Sequence, residues 1–279
     1  MILVTGATGN VGRRVVERLA AAGHGVRAVT RHPSRAKLPA GVEVVAADLA
    51  DPASLRPHLA DVDGVFLVWP FVDPATTAEL APRVAEVLAE AGSPHVAYVS
   101  AASAEADPQS FWALVERAVD DAGLPWTMLR PTGIATNALG WAAQIRAEGV
   151  VRWPYGAAAR SMVHEDDIAA VAVEALTSDG HDKRTYVLSG PETVTQADQV
   201  RLIGESIGRD LRWEEITADE LRPMLAAAMG SPAFADLALR SWATLIETPE
   251  PVTDDVAVVL GRPARTFAQW AADHVSDFR

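Results

Sequence analysis

The chain has 279 residues, 49% hydrophobic and 22% charged, a globular composition long enough for one large core or a core with a smaller lobe. Its 37 acidic against 24 basic residues leave a net charge of −13, which argues against nucleic acid or an anionic membrane surface as partner. The absence of cysteine excludes disulfides and thiol chemistry and suits a reducing compartment such as the cytoplasm.

The apolar opening Ile2-Leu3-Val4-Thr5 predicts a buried strand, too short for a signal peptide. No later apolar run approaches the roughly 20 residues of a membrane span. Val11, Val15 and Leu19 recur at helical spacing, with Arg13, Arg14, Glu17 and Arg18 turned outward, as far as Gly23. Strands follow at Val26 to Thr30 and Val42 to Ala46, then a short helix opened by Asp51 as N-cap and Pro52 at its first position. Gly64 to Trp69 is a fourth strand, and Leu80, Val84, Val87, Leu88 and Ala91 mark a helix stopped by Gly92. His95 to Ser100 is a fifth strand, Phe111, Leu114, Val115 and Ala118 a further helix, and Trp126 to Leu129 a sixth strand. Short apolar strands alternating with helices imply an α/β fold, a doubly wound parallel sheet.

Past residue 135 the alternation relaxes. Helical patterns cover 138–146, 166–176, 195–207, 218–229, 233–245 and 266–273, with another near Asp254; 185–188 and 211–214 read as short strands. No repeat, low-complexity tract or linker separates the halves.

Thr5-Gly6-Ala7-Thr8-Gly9-Asn10-Val11-Gly12 lies between the first strand and the first helix, with glycines spaced G-x-x-G-x-x-G. Such a loop turns tightly, lets backbone approach a diphosphate and packs the helix closely on the sheet. The helix start offers free N–H groups and a positive dipole end to the phosphates.

The loop resembles that of the atypical short-chain dehydrogenase/reductases, most of all the NmrA-like NAD(P)H-binding proteins. Asp48-Leu49, the segment Trp126 to Asn137 (WTMLRPTGIATN) and Ser161 to Ala169 (SMVHEDDIA) resemble them too. The resemblance implies a Rossmann dinucleotide-binding core over 1–135, with sheet edge and a smaller, mostly helical substrate-side lobe over 136–279. It also implies a small organic substrate, and cofactor contacts from Gly6 to Gly12, Asp48, Leu49, Val68, Trp69 and Ser100. Asp48 serves equally well as a turn residue.

NAD-binding members end strand two with an acidic residue on the ribose 2′-hydroxyl. Here Arg31 stands at that place, 19 residues beyond Gly12, with Arg35 and Lys37 close behind. An arginine there pairs with a 2′-phosphate, so NADP is favoured over NAD.

The Tyr-x-x-x-Lys pair familiar in this superfamily is missing. Four residues beyond Tyr98, Tyr155 and Tyr186 stand Ala102, Ala159 and Gly190, and no lysine lies between Lys37 and Lys183. On the helix after strand five the facing slots hold Trp112 and Glu116, or Ala113 and Arg117. Ser100, ending strand five where the superfamily keeps a serine, is a weak catalytic candidate. Without an acid–base pair, hydride transfer to a strong acceptor such as a quinone or cationic dye is favoured over alcohol oxidation.

Trp69 and Phe71, at the carboxyl end of strand four, suit a planar aromatic substrate, with Ile134, Asn137, Trp141 and, less so, Trp112 and Trp153 as further contacts. Trp213, Trp242 and Trp270 read as core. His164, before Glu165-Asp166-Asp167, reads as structural at a helix start. The seven histidines show no metal-ligand spacing. The leading function is an NADPH-dependent oxidoreductase; the alternatives are a redox-sensing binding module and a biosynthetic enzyme whose chemistry does not consume NADPH. The sequence leaves oligomeric state open.

Overall fold

A computed structural model describes residues 1–279. In chain order the helices are α1 (Asn10–Ala21), α2 (Pro74–Glu90), α3 (Phe111–Asp121), α4 (Ala142–Glu148), α5 (Glu165–Thr177), α6 (Gln196–Ile207), α7 (Ala218–Met229), α8 (Pro232–Thr244), α9 (Asp255–Leu260), α10 (Phe267–Asp273) and α11 (Val275–Phe278). The chain divides into two compact units, one of residues 1–131, 165–188 and 255–262, the other of 132–164, 189–254 and 263–279.

The first unit holds β1 (Ile2–Val4), β2 (Val26–Thr30), β3 (Glu43–Ala46), β4 (Gly64–Val68), β5 (His95–Val99), β6 (Trp126–Pro131) and an edge strand, Arg184–Leu188. They form one seven-stranded sheet in the order edge strand, β6, β5, β4, β1, β2, β3. Every pairing is parallel. This is the doubly wound arrangement expected, with strand order reversing between β1 and β4. Leu3, Val4, Phe66, Val96 and Ala97 are fully buried. Burial on both sheet faces explains why the central strands read as continuous apolar runs rather than alternating ones.

The division of the chain corrects the single cut expected at residue 135, for the chain crosses the boundary five times. The reason lies in what the sheet still needs after β6. Residues 184–188 extend it beside β6. The α5 helix packs on α1, where Asp166 faces Arg14 at 3.6 Å and Arg18 at 3.7 Å. On α9, Asp255 accepts the Val187 N–H at 2.6 Å. Segments far apart in sequence thus complete one unit. A smaller correction concerns Asp51. The helix it precedes, Pro52–His58, is 3-10, and its carboxylate makes no cap. Ser54 Oγ instead donates to the carbonyls of Asp51 and Asp48.

At the amino end of the sheet a polar relay ties three strands. His95 Nε2 donates to Thr127 Oγ1 at 2.9 Å, Thr127 donates to the His181 carbonyl at 2.7 Å, and His181 Nδ1 meets Tyr186 Oη at 2.8 Å. Burial pushes the His95 imidazole below its ordinary pKa, against the pull of Asp182 and with the help of His181. The unfolded chain therefore binds this proton more readily than the folded one. The stability contribution is present above the ordinary histidine range and is lost as pH falls through the lowered value. Thermal midpoints are expected to drop between about pH 7 and pH 5, more shallowly in His95→Gln. Equal slopes for the two proteins in calorimetry would remove His95 as the cause.

The second unit is mostly helical: α4, α6, α7, α8, α10 and α11. Short strand pairs join 133–134 to 162–163, 159–160 to 194–195, and 150–153 to 212–215. Its main core includes Ile145, Val151, Ile203 and Trp270, and a lesser one lies between α7 and α8 around Leu221 and Leu239. Four tryptophans run through it in edge or tilted contact: Trp213 to Trp141 at 5.9 Å, Trp141 to Trp153 at 6.2 Å, Trp153 to Trp242 at 5.8 Å. Arg160 reaches Glu250 Oε1 through two nitrogens, and the Ser161 N–H takes the other oxygen, so 248–254 is stitched to 159–161. No helix of the chain is long and apolar enough to cross a membrane.

Candidate functional site

The loop from Gly6 to Gly12 closes tightly on itself. The Gly9 N–H donates to the Gly6 carbonyl at 2.9 Å, and Gly6 takes a φ of +58°, a region disfavoured for side-chain-bearing residues. Gly12 has no alternative: a Cβ there would lie 2.2 Å from the Gly6 carbonyl oxygen. This contact presses the first turn of α1 onto the end of β1. Thr5, which the sequence did not single out, fixes the other side. Its Oγ1 accepts the Val68 N–H at 2.8 Å and points back at the Phe66 and Val68 carbonyls, joining the ends of β1 and β4.

The start of α1 has Gly9 as N-cap, no side-chain cap and no acidic residue in its first turn. By contrast, α2 is capped by Asp73, which accepts the Thr76 N–H at 2.8 Å, and α3 by Ser110. The Thr76 bonds hold the Asp73 carboxyl below its ordinary pKa. Gly6, Thr8, Gly9 and Asn10 are exposed, while Ala7 and Val11 are buried beneath them. Uncapped amides and a positive helix end without a neutralising carboxylate are what an anionic diphosphate needs. The loop therefore fits a dinucleotide.

Beyond β2, Arg31, Arg35 and Lys37 are all exposed, and none is held in an ion pair within the chain. They form a cationic edge on a protein of net charge −13. Asp48 is engaged as a turn residue: its Oδ1 accepts the Ala50 N–H at 3.0 Å, and its own N–H donates to Ser54. Leu49 beside it is buried.

At the carboxyl end of β4, Val68 is half-buried and Trp69 only 7% exposed. The Trp69 Nε1–H donates to Thr77 Oγ1 at 2.9 Å, and Thr77 donates in turn to the Phe71 carbonyl. Phe71 stands edge-on to Trp69 at 5.3 Å and keeps part of its ring open. Trp69 thus backs Phe71, with little of its own surface open.

Ser100 follows β5. It is 3% exposed and its Oγ has no partner within the chain. A buried hydroxyl without a partner is costly and uncommon, which makes it a candidate contact for a bound molecule. Tyr98, two residues earlier, is fully buried with its Oη likewise unpartnered. Burial, with the nearby Glu116 charge, pushes its phenol well above the ordinary value, so it stays protonated at neutral pH. Glu116 occupies one of the helical slots where a Tyr–Lys pair would stand. It is taken by Arg130 in a bidentate pair, at 2.9 and 2.7 Å. The other slot, Trp112, is partly buried and lies tilted against Phe111, ring centres 4.0 Å apart.

Within the second unit, Ile134 is half-buried and Asn137 exposed, whereas Trp141 is 5% exposed inside the main core. Trp141 therefore keeps little surface for a ligand. His164 is buried, with Nε2 at 3.3 Å from an Asp273 carboxylate oxygen. No group of three metal-ligating side chains is found.

Residues 6–179 match the sequence family described as NAD(P)H-binding. Over its whole length the chain is 42% identical to the (4-alkanoyl-5-oxo-2,5-dihydrofuran-3-yl)methyl phosphate reductase of Streptomyces griseus, covering 99% of that protein. It is 34% identical to the NAD(P)H azoreductase of Xenophilus azovorans, again over 100% of the chain and 99% of the relative. In fold it is similar to the NADPH-dependent quinone oxidoreductase of Escherichia coli complexed with NADPH, with a TM-score of 0.82, 23% identity and coverage of 98% and 99%. It is also similar to the Citrobacter triphenylmethane reductase complexed with NADP(H), with a TM-score of 0.80, 23% identity and the same coverage.

Proposed function

Since the chain belongs to the NAD(P)H-binding family, in its NmrA-like atypical short-chain dehydrogenase/reductase branch, we propose that it is an NADPH-dependent reductase of conjugated, electron-poor small molecules. The observation that carries the proposal is the loop before α1, where Gly12 admits no Cβ and the helix start is left uncapped. Its amides hold the diphosphate. Arg31, assisted by Arg35, meets the 2′-phosphate and sets the preference for NADP(H) over NAD(H). Val68 and the Trp69–Phe71 turn flank the nicotinamide end, with Phe71 offering a flat apolar face to the acceptor. Once bound, NADPH supplies a hydride. Ser100 donates its hydroxyl hydrogen bond to the acceptor atom that gains negative charge, and solvent delivers the proton.

The missing acid–base pair limits the chemistry to acceptors that draw hydride unaided. Three relatives support the same class by name: an azoreductase, a quinone oxidoreductase and a reductase of an oxo-dihydrofuran phosphate ester. The last is not aromatic, and its name describes a ring carrying both a lactone carbonyl and an alkanoyl group. Conjugation to electron-withdrawing groups, rather than aromaticity, is the common feature. Cytoplasmic residence, where NADPH is supplied, is part of the proposal.

The test is turnover. NADPH is mixed with the protein and a panel holding a benzoquinone, an azo dye, a 2-acyl butenolide and a simple ketone, and loss of NADPH absorbance is followed. At least one conjugated acceptor is expected to be reduced and the ketone is not. Bound NADPH that survives the whole panel would favour a sensing role instead.

A further inference from the structure

Where a Tyr–Lys pair would face the cofactor, this chain places Glu116 in a partly buried ion pair with Arg130, and its position relative to Ser100 suggests a use. Arg130 is the penultimate residue of β6, one past Leu129, and the Ser100 N–H donates to the Leu129 carbonyl at 2.7 Å. The parallel register that pairs Val99 with Leu129 brings Ser100 next to Arg130. The Arg130 guanidinium is gripped by both oxygens of Glu116 on α3, with 16% and 13% of the two side chains exposed. Its remaining arm reaches Glu105, at 3.4 Å, on the loop that leaves Ser100. Arg130 therefore fixes the strand that holds the Ser100 amide and touches the segment that follows it. The Ser100 hydroxyl has no hydrogen bond of its own to set its place.

We propose that Arg130 is a positioning residue for hydride transfer, holding the Ser100 hydroxyl in line with the reacting atoms through the Glu116 clamp. The proposal rests on Ser100 meeting the acceptor. A planar guanidinium bound at two points fixes direction as well as distance, which a lysine cannot do. A displacement of about 1 Å in a reacting group can cost on the order of a hundredfold in rate.

The test is a double-mutant cycle read in single turnovers with a benzoquinone, alongside the NADPH dissociation constant by fluorescence. Ser100→Ala is expected to slow hydride transfer about tenfold or more. Arg130→Gln and Arg130→Lys are expected to slow it by a similar factor, leaving NADPH affinity within about twofold. In the Ser100→Ala background the Arg130 changes are expected to cost less than about twofold further, since the group they position is gone. If Arg130→Gln does not fold, Glu116→Gln, which keeps shape and one acceptor, carries the same cycle. Equal losses from the Arg130 change with and without Ser100 would overturn the proposal while leaving Ser100's role intact. An unchanged rate for Ser100→Ala would overturn the Ser100 assignment and the proposal with it.

Discussion

Gly12→Ala is expected to lose NADPH affinity by about 100-fold, or ~2.8 kcal/mol at about 1.4 kcal/mol per tenfold. The added Cβ would lie 2.2 Å from the Gly6 carbonyl oxygen and 2.7 Å from its carbon, both backbone atoms that no rotamer change can move aside. Either α1 lifts from the end of β1 or the loop opens, and both displace the amides that meet the diphosphate. Calorimetric titration with NADPH reads the loss, and a thermal melt checks that the sheet persists. Gly23→Ala is the useful contrast. That glycine has positive φ but no atom within contact distance of an added Cβ, so strain there leaves the loop untouched. An unaltered NADPH affinity in Gly12→Ala would refute the loop as the diphosphate site.

Arg31→Glu is expected to shift the NADPH-to-NADH affinity ratio by about 100-fold toward NADH. A charge-assisted hydrogen bond contributes roughly 1.5–3 kcal/mol, and the carboxylate adds repulsion toward a phosphate. Because Arg31 is exposed and unpaired within the chain, thermal stability should stay within about 0.5 kcal/mol of the parent. Raising salt should weaken NADPH binding to the parent more than to the variant, since Arg35 and Lys37 alone leave a smaller field. A ratio that does not move would transfer the 2′-phosphate to another residue, with Arg13, exposed in the first turns of α1, the first to examine.

Much of the first unit was legible because its forces are local and periodic. Central strands buried on both faces announce themselves as apolar runs, and α1 and α3 as stripes at helical spacing. The loop was legible because its glycines answer to backbone geometry. What escaped notice depends on contacts distant in sequence. The strand at 150–153 pairs with 212–215, a separation that no window of sequence spans. Asp51 carries the residue type of a cap, yet Ser54 decides the turn. That the Trp69 indole N–H is held by Thr77, eight residues on, is not readable from residue types. The gap in the Tyr–Lys slots was plain from residue types. That Arg130 fills the space against Glu116 was not, since it required the register of β5 on β6.

The interlacing of the two units bears on how this protein can be dissected or recombined. A fragment ending near residue 135 would keep the glycine loop but forfeit α5, α9 and the outermost strand. The flank of β6 would then be bare, with a row of unmatched amides and carbonyls inviting intermolecular association. Exchanging the second unit on this scaffold therefore means replacing two inserted stretches and the terminal one together while preserving the returns at 165–188 and 255–262, not swapping a carboxyl-terminal half.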